Sequence, residues 1–397
     1  MKLLFLVGDG MGDYPLEELG GKTPLEAAPT PFMDGLASRG IVGRCRTIPE
    51  SMPPGSDVAN MSLLGFDPAD YHTGRGPIEA AALGLSLAPT DLVWRMNLVT
   101  LSGLTDTDTM KDYSAGHIDN EEAGRLLHTL ASELGDDTFS FYKGFQYRHL
   151  LVQKDGAASP EAGLHIRPPH DITEQALGPD LQTFRTCPRL WKLVQEAFRL
   201  LSRQNTPSAA NAIWPWGQGG PMLLPSFHDQ FGLKGAVVSA VDLVKGLGRA
   251  ASMTVVDVPG ATGLLDTNYA GKVAWACDLF QDHDFVFLHV EAPDECGHEG
   301  SAGNKTEAIA RFDRLVVGPL VERFGEQMLF IVACDHFTPV SVRTHTRDPV
   351  PFILSGPTVK PDRIDVYTEA AAAQSTLILE TGPELLNMAL ASLRNQR

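Results

Sequence analysis

Aspartate and histidine recur in this chain directly behind short apolar runs, where their oxygen and nitrogen atoms could together hold divalent cations. Asp335-His336 follows Met328-Leu329-Phe330-Ile331-Val332-Ala333-Cys334, and Asp9 follows Lys2-Leu3-Leu4-Phe5-Leu6-Val7-Gly8. Phe285-Val286-Phe287-Leu288-His289-Val290-Glu291 leads into Asp294-Glu295-Cys296-Gly297-His298, and His345 comes soon after His336. Carboxylate oxygens and imidazole nitrogens are the ligands of borderline divalent metals. Asp9, Asp294, Asp335, His298, His336 and His345 are six candidates, a number that suits two ions rather than one. A lone aspartate behind a strand reads equally well as a helix cap, so Asp9 takes its metal reading from its companions.

A nucleophile candidate lies in Pro53-Pro54-Gly55-Ser56-Asp57-Val58-Ala59-Asn60-Met61-Ser62-Leu63-Leu64-Gly65. The Val58, Met61, Ser62 and Leu64 spacing predicts a short helix after Ser56. A hydroxyl there faces unpaired N–H groups and the positive end of the helix dipole, which favour its deprotonation and the binding of a phosphate. Taken alone, Ser56 reads as an N-cap; beside a two-metal cluster it competes as a nucleophile.

The elements that must position these groups can be read from the same runs. Apolar stretches rich in Val, Ile and Phe predict buried strands of a parallel sheet, with the ligands at its carboxyl edge. Further strands are expected at 235–240, 253–258 and 350–355. Helices are expected at 30–37 with a Thr30 cap, at 305–323 and at 383–394. Between 91 and 205 the texture changes. Leu92–Leu101 reads as a half-buried antiparallel strand, 139–142 and 147–153 as further strands, and 119–134 and 187–202 as amphipathic helices. The expected organisation is a sheet domain of residues 1–90 and 206–397, split by an inserted α+β lobe of residues 91–205.

The 397 residues carry a formal net charge of -17, which argues against nucleic acid or an anionic membrane surface as partner. Five cysteines without a CxxC pair point to a reducing compartment. Met1-Lys2 runs into a short strand without the apolar region of a signal peptide, and no stretch approaches a membrane span, so a cytoplasmic location is expected. The oligomeric state stays open.

At Asp294-xxx-His298, Asp335-His336 and Gly55-Ser56-Asp57 the sequence resembles the alkaline phosphatase superfamily. Within it the chain is most similar to the archaeal-type cofactor-independent phosphoglycerate mutases. Lys22-Thr23-Pro24-Leu25-Glu26-Ala27-Ala28, Gly74-Arg75-Gly76-Pro77-Ile78-Glu79-Ala80, Val258-Pro259-Gly260-Ala261-Thr262-Gly263 and Glu291-Ala292-Pro293-Asp294-Glu295-Cys296-Gly297-His298 carry that likeness.

The resemblance implies an α/β fold, an alkaline phosphatase-like mostly parallel sheet sandwiched by helices, and two divalent ions, manganese or zinc, with no bisphosphoglycerate. Asp294, His298 and His345 would hold one ion. Asp9, Asp335 and His336 would hold the other beside Ser56, which would accept the phosphate of 2- or 3-phosphoglycerate, a small phosphorylated metabolite of glycolysis, and return it to the neighbouring hydroxyl.

In the lobe, Arg95 and Arg148 are candidate carboxylate clamps, with His117 and His170 as further substrate contacts and Asp112 as a proton shuttle; Lys234, just before a strand of the sheet, is a candidate to meet charge on the leaving oxygen. Where the family carries Asp-Arg-Arg-Ala-Gly-Arg, this chain has Lys111-Asp112-Tyr113-Ser114-Ala115-Gly116-His117, without an arginine. A bacterial branch with similar changes is labelled a proposed homoserine kinase. That reading and a phosphomonoester hydrolase are the alternatives.

Overall fold

The computed structural model describes residues 2–203 and 208–394. The chain forms two compact units, Met1–His72 with Leu223–Arg397, and Thr73–Met222. The lobe is therefore wider than the sequence suggests, because residues 73–90 and 208–222 go with it.

The first unit is built on an eight-stranded sheet. Its strands, in spatial order, are Ile378–Leu379, Gly40–Cys45, Val350–Ser355, Met328–Ala333, Lys2–Gly8, Phe285–Val290, Gly235–Val238 and Thr254–Val256. All run parallel except Val350–Ser355, which is antiparallel to both neighbours. Met328–Ala333 and Phe285–Val290 are buried along their whole length, the reason they read as continuous apolar runs. Each fully buried Leu, Ile or Phe side chain contributes roughly 1.5–3 kcal/mol, so these strands are a rigid base for the residues just beyond their carboxyl ends. The expected mostly parallel sheet with flanking helices is what the chain forms.

Two helices depart from expectation. Thr30 gives the helix Pro31–Ala37 no side-chain cap. The carboxylate of Asp313 does so instead, accepting from Phe32 N at 3.2 Å and Met33 N at 2.7 Å. The helix expected at 305–323 is α-helical over Ala302–Phe312, widens into a π turn at Asp313–Val317, and resumes at Gly318–Phe324. Pro319 has no N–H to continue the α ladder, and the wide turn ahead of it absorbs that loss.

In the second unit Leu92–Leu101 is the spine of a five-stranded antiparallel sheet, pairing with Met110–Asp112, Arg148–Gln153 and Ala212–Gly219. Phe139–Phe145 pairs with Arg148–Gln153. Leu92–Leu101 was expected to be half-buried, yet it is buried on both faces. Trp94, Met96 and Leu98 join the main core of the lobe, while Val93 packs with Ala80 of the helix Arg75–Ala82. A Cβ at Gly76 would come within 2.8 Å of Arg95 N and Val93 O, so glycine is what lets that helix lie directly on the strand. This packing draws residues 73–90 into the lobe.

Candidate metal and phosphotransfer site

The carboxyl ends of three adjacent parallel strands deliver the candidate ligands. Asp9 follows Lys2–Gly8, Asp335 and His336 follow Met328–Ala333, and Asp294 and His298 lie one turn apart on the helix Ala292–Glu299 behind Phe285–Val290. Three groups of potential ligand atoms, each lying within 4.8 Å of one another, result: Asp294, His298 and His345; Asp9, Asp294 and His336; and Asp9, His289 and Asp335.

All six expected ligands converge, and His289 joins them. The first group is the one expected. In the other two groups His289 stands with Asp9 and Asp335, and His336 with Asp9 and Asp294, while His336 also stays beside Asp335. His289 Nε2 is 3.0 Å from Asp9 Oδ2, and His336 Nε2 is 3.4 Å from both Asp9 Oδ1 and Asp335 Oδ2. His298 Nε2 lies 3.2 Å from Asp294 Oδ2, and His345 Nε2 lies 3.5 Å from Asp294 Oδ1.

Surrounding groups fix these side chains. Asp335 Oδ1 accepts from Gly10 N and His336 N, and its Oδ2 accepts from Asn60 Nδ2 at 2.8 Å. Gly10 has φ 60°, and a Cβ there would meet Asp294 Oδ1 at 2.6 Å, so only glycine lets this turn close over the site. His298 Nδ1 faces the carbonyl of Arg343 at 3.0 Å. A carbonyl only accepts, so Nδ1 carries a proton, and in the neutral ring Nε2 holds the lone pair that could ligate. Thr338 donates its hydroxyl proton to Asp294 and stands 3.2 Å from His336 Nδ1. With that proton committed, His336 Nδ1 must be the donor, which again leaves Nε2 as the lone-pair atom.

Electrostatically the cluster is short of positive charge. Burial, reinforced by the charges of Asp335, Asp294 and Glu291, pushes the Asp9 carboxyl well above its ordinary range. Burial and the charges of Glu295 and Asp294 raise Glu291 to about 8. Burial drives the His289 imidazole down to about 3 and also lowers His336. Burial would raise Asp294 too, but hydrogen bonds from His298 and His345 reverse this and hold it well below the usual value. His298 rises to about 9, chiefly through its bond to Asp294.

The donor set fits divalent cations. Asp9 Oδ1 is buried without a hydrogen-bond partner, and His289 Nε2, though 3.0 Å from Asp9 Oδ2, makes no aligned hydrogen bond; the ion pairs of Asp9, Asp294 and Asp335 are with imidazoles. Buried orphan atoms of this kind are costly unless something else engages them.

Ser56 adjoins this cluster. Gly55 is the N-cap of Ser56–Leu63 and Ser56 is its first helical residue, so the cap reading of the serine does not hold. Its hydroxyl makes no cap bond; Oγ lies 3.0 Å from His336 Nε2. Asn60, one turn on, donates to both Ser56 O and Asp335 Oδ2, fastening the helix start to the ligand strand.

Lys234 is placed elsewhere. It precedes the strand Gly235–Val238, and its carbonyl accepts from Asp284 N and Phe285 N at the amino end of the neighbouring strand. The ligands lie at the carboxyl ends, so Lys234 occupies the opposite edge of the sheet and has no part in the site.

The lobe gathers a second cluster. Arg95 is buried, stacks over Trp216 at 4.8 Å and pairs with Glu79 at 2.7 Å. Burial lowers its guanidinium to about 10 despite Glu79, and Arg95 Nε has no partner. Arg148 lies over the rings of Tyr147 and Phe145. His170 packs edge-on against Trp216 and Tyr113, and His117 against Tyr147. Burial lowers the His170 imidazole; Asp171 opposes this, and the like charges of Arg75 and Arg95 add to it.

Asp112 has its carboxylate engaged. Oδ1 accepts from Ser114 N and Oγ at 2.7 Å each, and Oδ2 accepts from Gly116 N at 2.8 Å. Burial works upward on its pKa, but these bonds and the charge of His117 outweigh it and lower the value. The turn it organises has three consecutive left-handed residues, Ala115, Gly116 and His117, with φ of 51°, 72° and 52°. Such backbone is costly outside glycine.

His289, Asn60, Thr338, Arg75 and Glu79 were not anticipated from the sequence as site residues. A lone imidazole inside an otherwise apolar strand was the available signal for His289, since a fully buried histidine in a sheet needs a partner.

A serine at a helix start beside overlapping carboxylate–histidine groups, at the carboxyl edge of a mostly parallel sheet, marks a metal-dependent phosphotransfer enzyme. Comparison with known proteins narrows the class. A family model described as 2,3-bisphosphoglycerate-independent phosphoglycerate mutase matches residues 37–206. A relative of that name from Methanosarcina mazei is 44% identical over 405 residues, covering 99% of this chain and 100% of the relative. A solved Pyrococcus horikoshii protein is 30% identical with a TM-score of 0.81, covering 99% of this chain and 97% of the other. The cofactor-independent phosphoglycerate mutase of Thermoplasma acidophilum is 29% identical with a TM-score of 0.67, covering 98% and 99%. The chain belongs to the 2,3-bisphosphoglycerate-independent phosphoglycerate mutase family.

Proposed function

We propose that this chain interconverts 2- and 3-phosphoglycerate without bisphosphoglycerate, passing the phosphoryl group through Ser56. The observation that carries the reading is Ser56 Oγ, at the first position of its helix and 3.0 Å from His336 Nε2 within the ligand cluster. The Ser56 oxygen attacks phosphorus, forming the Oγ–P bond as the bond from phosphorus to the glycerate oxygen breaks. The neighbouring glycerate hydroxyl then attacks the phosphoserine and restores Ser56, so one hydroxyl proton is exchanged between the two glycerate oxygens. The N–H groups of the helix start meet the phosphoryl oxygens. Two divalent cations, manganese or zinc, held by Asp294, His298 and His345 and by Asp9, His289, Asp335 and His336, would supply Lewis-acid stabilisation of the serine oxygen and phosphoryl charge.

Arg148 and Arg95 take the substrate carboxylate. Arg148 is the more available of the two, because Arg95 already answers Glu79. Asp112, expected from the sequence as the proton shuttle, has both carboxylate oxygens taken up by Ser114 and Gly116; its role is instead to hold the turn that carries His117.

The test is an assay of manganese-loaded protein with 2-phosphoglycerate, alongside homoserine plus a nucleoside triphosphate. Isomerisation to 3-phosphoglycerate supports the reading. Phosphate release outpacing isomerisation replaces it with a hydrolase, and phosphohomoserine replaces it with a kinase.

A further inference from the structure

Lys305 is fully buried, and the phosphotransfer chemistry makes no use of it. Its ammonium group has three donors, and all three are used: Nζ reaches Gly12 O at 3.0 Å, Asp13 Oδ2 at 2.8 Å and Thr338 O at 2.9 Å. These acceptors sit on the two loops that carry Asp9 and Asp335-His336. Asp13, equally buried, returns the contact by accepting from Val340 N and Tyr14 N. The loops touch directly as well, through Thr338 N to Gly12 O and through Phe337, which fills the space a Cβ on Gly12 would need.

Behind the pair lies Glu369, whose Oε1 accepts from Asp13 N at 3.1 Å and whose Oε2 accepts from Thr23 Oγ1 at 2.8 Å. Thr23 is the cap of the helix Pro24–Ala27 and belongs to the Lys22–Ala28 stretch, to which the catalytic reading gives no role.

A buried ion pair is a poor device for stability alone, because desolvation offsets its attraction and apolar replacements are often as stable. What this one adds is a three-way tie that holds the two loops against each other at Thr338. The side chain of Thr338 sets the His336 tautomer and orients Asp294.

We propose that Lys305 and Asp13, backed by Glu369 and Thr23, are positioning residues that set the metal affinity of the site without touching an ion. This inference rests on the reading of the ligand cluster as a metal site. Loss of outer hydrogen-bond partners typically costs about 10–100-fold in metal affinity.

The test is titration of the metal-free full chain with manganese alone, monitored calorimetrically, for Lys305→Met, the charge-neutral double variant Lys305→Met/Asp13→Asn, and Thr23→Val. A core variant, Leu36→Ala, controls for lost thermal stability. We expect manganese affinity to fall about 10–100-fold in the Lys305 variants and less in Thr23→Val, and to be unchanged in Leu36→Ala. If Lys305→Met does not fold, the double variant and Thr23→Val decide. Unchanged manganese affinity in the folded variants, or an equal loss in Leu36→Ala, overturns the inference alone. Failure of the unaltered protein to bind either manganese or, in a parallel titration, zinc overturns the metal reading and this inference with it.

Discussion

The carboxylate–histidine cluster of the sheet unit and the arginine–aromatic cluster of the lobe are built by different physical means. In the sheet unit, short side chains spring from the ends of fully buried parallel strands, and nearly every one has a second partner that fixes its orientation. Asp335 is held by Gly10, Asn60 and its own neighbour's N–H, His298 by Arg343 and His336 by Thr338. In the lobe, the working groups are long guanidinium and imidazole side chains laid on aromatic faces, on strands and turns that include a left-handed run. The first arrangement suits fixed-geometry chemistry on a small charge-dense centre. The second suits recognition of an anionic molecule, where stacked cations tolerate modest shifts.

Substitutions should separate the two regions cleanly. The largest effect is expected from Ser56→Ala, which should reduce turnover by on the order of 10⁴ or more while manganese stoichiometry, measured by metal analysis, stays at the unaltered value. Asp335→Asn should come next, losing manganese as well as rate, because the carboxylate serves both the cluster and Asn60. If this variant keeps full metal content, Asp335 is not a ligand.

Arg148→Met should leave metal content and kcat nearly intact and raise KM by roughly 10–100-fold, the worth of one charge-assisted hydrogen bond pair. A change in metal content would blur the division between regions. The smallest expected effect concerns pH. Burial raises Glu369 to about 7 in the folded chain, above its value of about 4.3 when unfolded. A group raised on folding contributes stability that is present below the unfolded value and lost as pH climbs through the folded one. Metal-free protein should therefore lose up to roughly 3–4 kcal/mol from this group between about pH 4 and pH 7, and Glu369→Gln should flatten that decline in thermal unfolding.

The same contrast explains what the sequence made legible. Polar side chains at the ends of buried parallel strands announce themselves, because an apolar run that stops at a carboxylate has a direction and an edge; the convergence of Asp9, Asp294, Asp335 and His336 was readable for that reason. His289 was not, since it lies inside the run, where period and composition mark it only as an odd polar residue. The helix expected after Ser56 begins at Ser56 itself, because Gly55 takes the cap with extended backbone.

The lobe was harder. Its boundary moved because Gly76 allows a helix to lie on Leu92–Leu101, a tertiary fact that no local pattern encodes. The pairing of Arg95 with Glu79, the commitment of Asp112 to its own turn and the distant capping of Pro31–Ala37 by Asp313 likewise depend on residues far apart in sequence or on backbone angles. Lys234 was assigned by charge and proximity to a strand without regard to which end it occupied.

The central claim is that phosphate resides on Ser56 during turnover. Manganese-loaded protein should be mixed with 2-phosphoglycerate, quenched in acid within the first turnovers and digested, and the peptide bearing Ser56 examined by mass spectrometry. The account predicts a phosphoryl adduct on Ser56 that forms before 3-phosphoglycerate accumulates and is absent in Ser56→Ala. Isomerisation at an undiminished rate with Ser56 unmodified, or in Ser56→Ala, would contradict it.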